Sequence, residues 1–137
     1  PDFYKADENG AVAGDRNTYG WQAVGVPGVP AGLQLALDRF GSRPLAELLA
    51  PAIRFARDGF PVSRGFAAAA KAAAKRFAAD PASARLFLQG GSPPAEGATF
   101  TNPDLATLLQ TFAGRGSLAS FYRGDIADRL ADGFAKG

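Results

Sequence analysis

Residues 23–62, AVGVPGVPAGLQLALDRFGSRPLAELLAPAIRFARDGFPV, set the architecture of this chain. Ala23-Val24-Gly25-Val26 is a short apolar run stopped by Pro27, and it predicts a short buried strand. A helix is then expected from about Val29 to Phe40. Pro30 is tolerated in its first turn, where a main-chain N–H has no intrahelical partner. Leu33, Leu37 and Phe40 fall on one stripe, with Ala36 beside them. Gly41 stands where a left-handed residue would close the helix. A second helix starts near Pro44, with an apolar face of Leu45, Leu48, Leu49, Ala52, Ile53 and Ala56. Pro51 interrupts it, and an interior proline costs about 3 kcal/mol, which predicts a kink or a break into two short helices. Gly59 followed by Phe60 reads as a helix stop with an apolar residue folding back.

The segments on either side extend this pattern. Residues 1–22 read as a lead-in, in which Phe3-Tyr4-Lys5-Ala6 forms a short strand. Asp7-Glu8-Asn9-Gly10 makes a turn, and Val12-Ala13 pairs back weakly. Beyond residue 62, Ser63 is an N-cap for a third helix to about Ala79. Phe66, Ala70, Ala73 and Phe77 line one of its faces, and Arg64, Lys71 and Lys75 the other. Asp80-Pro81 opens a short helix towards Leu86, and residues 90–97 form a Gly-, Pro- and Ser-rich loop. Asn102-Pro103 pairs an N-cap with a first-turn proline, ahead of a stripe of Leu105, Leu108, Leu109 and Phe112. Ser117 caps a short helix through Phe121-Tyr122, and Ile126, Leu130 and Phe134 carry the last one. The expected fold is mainly α, a multi-helix fragment with one or two short strands near its start. It is read as a single unit over 1–137, with strands and a turn in 1–28 and a helical region in 29–137.

Composition bounds the function. Of the 137 residues, 47% are apolar and 20% charged, so the chain is globular rather than disordered. Fifteen basic against thirteen acidic residues leave a net charge of +2, too balanced to predict a nucleic-acid or membrane partner. There is no Cys, hence no disulfide and no thiol nucleophile. There is no His, which removes the commonest general base and metal ligand. No apolar run is long enough to cross a bilayer, and no signal segment is visible. The chain starts at Pro1 without a Met, as expected of an excised piece.

Each residue pattern that could carry chemistry has a plainer explanation. Gly25, Gly28 and Gly32 precede a helix but match neither dinucleotide nor Walker spacing, and Pro27 and Pro30 remove two donors that an anion would use. They read as a tight turn. Asp125, Asp128 and Asp132 lie at helical spacing, with Arg129 and Lys136 four residues after Asp125 and Asp132 to pair with them; this is a solvated helix face rather than a metal site. Asp7, Asn9 and Gly10 make a turn, not a calcium loop. Arg64, Lys71, Lys75 and Arg76 lack interleaved aromatic residues for stacking bases. Trp21, beside Tyr19, reads as a packing residue rather than a ligand platform. The serines have no His to activate them. A threonine nucleophile needs a terminal amine or a Lys as its base, and no Thr here stands at the visible N-terminus. No catalytic, substrate-binding, cofactor or metal residue is therefore assigned, and no cofactor is expected.

Several pieces of sequence, in order, resemble the large subunit of the γ-glutamyltransferases, a family of N-terminal-nucleophile hydrolases. Gly25-Val26-Pro27-Gly28 with Ala31-Gly32-Leu33 is similar to that family's G-x-P-G-x-x-A-G-[LF]. Asp38-Arg39-Phe40-Gly41, Leu49-Ala50-Pro51-Ala52 and Arg57-Asp58-Gly59-Phe60 resemble the next pieces. Asn102-Pro103-Asp104-Leu105-Ala106 matches N-x-x-L-A, and Phe121-Tyr122-Arg123-Gly124-Asp125-Ile126-Ala127 matches F-Y-x-G-x-[IL]-A. Val29 and Pro30 depart from the usual pattern without disturbing the order.

The resemblance implies a self-cleaving enzyme whose new N-terminal Thr attacks the γ-glutamyl amide of glutathione-like compounds, with its own amine as base. That Thr and the oxyanion-stabilising glycines belong to the small subunit. The arginine that holds the substrate carboxylate lies upstream of Pro1, so no catalytic residue carries over. The chain's implied partners are the remainder of its large subunit and the small subunit. The implied location is the periplasm or exterior of a bacterium. The alternative is a free-standing helical interaction domain without catalysis.

Overall fold

The computed structural model describes residues 3–136. The helices run in the order α1 (Val29–Phe40), α2 (Leu45–Asp58), α3 (Arg64–Ala79), α4 (Pro81–Phe87), α5 (Pro103–Arg115) and α6 (Asp125–Lys136). Two short strands, β1 (Phe60–Pro61) and β2 (Thr99–Phe100), and 3-10 turns at Ala13–Asp15, Trp21–Ala23 and Ala119–Phe121 complete the described elements. The mainly α reading holds. The reading built on Pro1 lies outside the described residues. The chain divides into two compact units: one is Arg43–Gly116, the other joins the segment up to Ser42 with that from Ser117 onward.

In the unit Arg43–Gly116, the starts of α3, α4 and α5 follow from local capping. Ser63 Oγ accepts from the Phe66 N–H at 3.2 Å, the Asp80 carboxylate from Ser83 at 2.7 Å and Asn102 Oδ1 from Leu105 at 3.0 Å. Each satisfies one first-turn donor, typically worth about 1 kcal/mol. Helix α2 packs along α5, and α3 along α4. Ala56 on α2 and Ala106 on α5 are buried, and small side chains permit close approach of helices. Strands β1 and β2 pair antiparallel, with Phe60 opposite Phe100 and Pro61 opposite Thr99. Bonds from Val62 N–H to the Ala98 carbonyl at 2.8 Å, and from Gly97 N–H to the Val62 carbonyl at 2.9 Å, lengthen this pairing.

An aromatic core sits on the strands. Phe100 meets Phe66 edge-on at 5.0 Å between centroids, stacks on Phe87 at 5.8 Å and tilts against Phe60 at 5.8 Å. Phe77 stacks on Phe87 at 4.5 Å. Offset and edge-on ring pairs add about 0.5–1.5 kcal/mol each beyond area burial. Val62, Phe100, Ala70 and Phe112 are buried.

In the other unit, the bridge from Ala6 to Val12 closes the Asp7–Gly10 turn. Asp7 Oδ1 accepts from the Asn9 and Ala11 N–H groups, both at 2.9 Å. Tyr4 Oη donates to the Gln22 carbonyl. Trp21 lies edge-on to Phe134 at 5.1 Å, over α6, where Gly133 leaves room for its ring: a Cβ there would sit 3.2 Å from the indole. Ile126 and Leu118 are buried.

Four expectations are corrected. Phe3–Ala6 is not a strand: only Ala6 pairs, in the isolated bridge to Val12, and the two strands lie at Phe60–Pro61 and Thr99–Phe100. Ala23–Val26 is not a strand: Val24 and Val26 are exposed, and no neighbouring strand pairs with them. Helix α2 continues through Pro51 without a break, because its packing along α5 outweighs one lost main-chain bond on an exposed turn. Gly41 is not left-handed; its φ and ψ of −68° and 134° suit any residue. Glycine is needed there because a Cβ would lie 2.4 Å from the Leu37 carbonyl oxygen.

Candidate functional site

Two of the sequence pieces singled out above, the turn before α1 and the Phe121-Tyr122 segment, meet in one place. Tyr122 Oη donates to the Pro27 carbonyl at 2.5 Å and accepts from the Ala31 N–H at 3.0 Å. One turn along α1, Gln34 Oε1 accepts from the Leu118 N–H at 2.8 Å, while its Nε2 donates to Asp38 Oδ1 at 2.7 Å. Beside these bonds runs a groove of about 400 Å³, bordered by Pro30, Leu35, Ala119, Tyr122 and Arg123. Its Tyr122 and Gln34 polar atoms are already engaged with main chain and with Asp38. The groove therefore offers a ligand mainly apolar wall.

The pieces around α2 and β2 also converge. Gly59 closes α2 with its N–H on the Phe55 carbonyl at 3.0 Å, and Asn102 N–H reaches the Ala56 carbonyl at 2.8 Å. Here the Arg57-Asp58-Gly59-Phe60 stop and the Asn102 cap are two sides of one junction.

Neither place holds a nucleophile with a base. Perturbed ionisation falls on surface groups with local causes. Hydrogen bonds from the neighbouring Arg57 guanidinium, at 2.7 and 2.9 Å, hold the Asp58 carboxyl below its usual range, and the same pair raises Arg57. Bonds from the Ser83 hydroxyl and N–H lower Asp80. A carboxylate made more acidic is a weaker base, so Asp80 caps α4 rather than activating Ser83. Ser120 Oγ is buried with no hydrogen-bond partner among the described residues, and with no His in the chain it has no imidazole to activate it. Among the described residues no three His, Cys, Asp or Glu side chains gather where a metal could bind. Among them, too, no helix is long and apolar enough to cross a membrane.

At the Gly25, Gly28 and Gly32 turn, the Ala31 N–H donor is engaged by Tyr122. Asp125, Asp128 and Asp132 lie on the exposed side of α6, opposite buried Ile126. Arg64, Lys71 and Lys75 lie exposed along α3. Tyr122 was readable only as part of a motif. Nothing in the spacing of the sequence signals that its hydroxyl reaches Pro27 and Ala31.

A sequence model of the family described as Gamma-glutamyltranspeptidase matches residues 1–137. A relative named Glutathione hydrolase proenzyme, from Bacillus subtilis (strain 168), is 37% identical over 134 residues, which is 96% of this chain and 22% of that protein. The crystal structure of Helicobacter pylori gamma-glutamyltranspeptidase superposes with a TM-score of 0.86 at 32% identity, over 96% of this chain and 38% of that one. A cephalosporin acylase from Bacillus halodurans gives 0.78 at 35% identity, over 86% and 23%. The chain thus spans about a fifth of the length of the curated relatives it matches.

Proposed function

The chain belongs to the gamma-glutamyltranspeptidase family, and we propose that residues 1–137 act as one non-catalytic helical part of the large subunit of such an enzyme. The whole enzyme would transfer or hydrolyse the γ-glutamyl group of glutathione-like substrates. An N-terminal Thr on the small subunit would be the nucleophile and its α-amine the base. The observation that carries this reading is a family match across residues 1–137 in a chain without His or Cys, with no nucleophile standing beside a base among the described residues. The partners are the rest of the large subunit and the small subunit, and the proposed location is the bacterial periplasm or exterior.

Exposed apolar surface supports a part that packs against more protein. Helix α1 buries none of its residues. Phe40 is 84% exposed, Val26 88% and Val29 70%. Such residues clustered along one helix and the turn before it mark a surface made for contact. A free-standing interaction domain is the competing reading. The 137-residue chain is expected to self-associate in sedimentation velocity, with a broad thermal transition. A single monomeric boundary with a sharp melt would favour the free-standing domain instead.

A further inference from the structure

We infer that Tyr122 is the N-terminal cap of α1, supplied from 91 residues further along the chain, and that with Gln34 it forms a two-point clasp fixing how the Pro27 turn feeds the helix. An α-helix begins with main-chain N–H groups that have no partner inside it. A Ser, Thr, Asp or Asn at the N-cap usually accepts from the second or third of them. Helix α1 has no such residue. Its N-cap is Gly28, which has no side chain, followed by Val29 and by Pro30, which has no N–H. Gly28 is also right-handed, with φ and ψ of −91° and −15°, rather than in the extended conformation from which a local cap reaches back.

The third residue of the helix is Ala31, and Tyr122 Oη accepts from its N–H. This is the bond that a local cap would make. The same hydroxyl hydrogen goes to the Pro27 carbonyl, on the last residue before Gly28. One tyrosine therefore ties both sides of the helix start.

The second point reverses the roles. Gln34 lies three residues after Ala31, on the same helix face. Its side chain accepts from the main chain of the clasping segment at Leu118, which is buried. Asp38 accepts from the amide nitrogen and so turns the amide oxygen towards Leu118. The 3-10 turn Ala119–Phe121 spans the two points, with Phe121 N–H on the Leu118 carbonyl at 3.1 Å and Tyr122 N–H on the Ala119 carbonyl at 3.0 Å. A sliding of this segment along α1 would break both bonds together, so the pair sets its register.

Amide hydrogen exchange of the full 137-residue chain tests the clasp. In Tyr122→Phe the ring stays beside Phe121, at 5.2 Å, and only the hydroxyl is lost. Exchange at Ala31 is expected to accelerate about 10-fold or more, with less than about a 3-fold change at Leu37 and Phe40. Gln34→Leu should do the same at Leu118. Unchanged exchange at Ala31 in Tyr122→Phe, or an equal acceleration along all of α1, would overturn the cap. The readout involves no activity, so loss of the proposed enzymatic role leaves the test standing.

Discussion

Gly59→Ala is expected to destabilise the unit Arg43–Gly116 more than any other single methyl addition to a glycine in it. Gly59 has a φ of +90° with ψ of 173°, a region open essentially to glycine alone. A Cβ on it would also lie 2.4 Å from Thr99 Cγ2, 2.9 Å from Thr101 Cγ2 and 3.0 Å from the Phe100 carbonyl oxygen. One methyl can rotate away. The Phe100 carbonyl cannot, because it is part of the β1–β2 pairing. Backbone strain of this kind costs about 1–3 kcal/mol, and overpacking adds about 1–3 more. A loss of about 3 kcal/mol would lower the Tm of a unit this size by on the order of 12 °C. Gly114→Ala is the control. That glycine lies inside α5 with open space around a new Cβ. Alanine there should stabilise by roughly 0.5–1 kcal/mol through helix propensity. If both substitutions shifted the melt equally, the junction of α2 with β2 would not be as tight as described.

Phe100→Ala should be comparably damaging for a different reason. Phe100 is 6% exposed and touches three other phenylalanine rings. Truncating a buried Phe to Ala typically costs about 3–5 kcal/mol, the lost transfer energy plus the cavity. The remaining rings cannot close the gap easily, since Phe60 is fixed by pairing and Phe87 is stacked on Phe77. A urea titration is expected to show a lower midpoint with loss of the near-ultraviolet aromatic signal before loss of helix. Phe100→Leu keeps much of the volume and should cost about 1.5 kcal/mol or less. An alanine variant as stable as the leucine variant would mean the ring cluster contributes little.

What could be read from the sequence was what acts over a few residues. Ser63, Asp80-Pro81 and Asn102-Pro103 announced three helix starts because a cap and its target N–H lie three residues apart. The 3.6-residue spacing of Phe66, Ala70, Ala73 and Phe77 marked the inner face of α3 for the same reason. Strands β1 and β2 were not legible. Each is two residues long, too short for an alternating pattern, and each exists only through its partner nearly forty positions away. Pro51 misled because propensity is local, while the packing of α2 along α5 is not. Gly41 was read as a conformational glycine, whereas it is a steric one. The clasp around Tyr122 was hidden, since an apolar-looking aromatic gives no sign that its hydroxyl caps a distant helix. Four of the family motif pieces, by contrast, are legible as strings, and the structure joins them in two hydrogen-bonded junctions.

The most direct measurement is release of the chromophore from a γ-glutamyl anilide, comparing the 137-residue chain with a family-length polypeptide that carries it. Under the proposed role the 137-residue chain should release nothing above buffer, and the longer polypeptide should turn the substrate over. Turnover by the short chain, or none by the long one, would contradict the assignment of these residues as the non-catalytic support of such an enzyme.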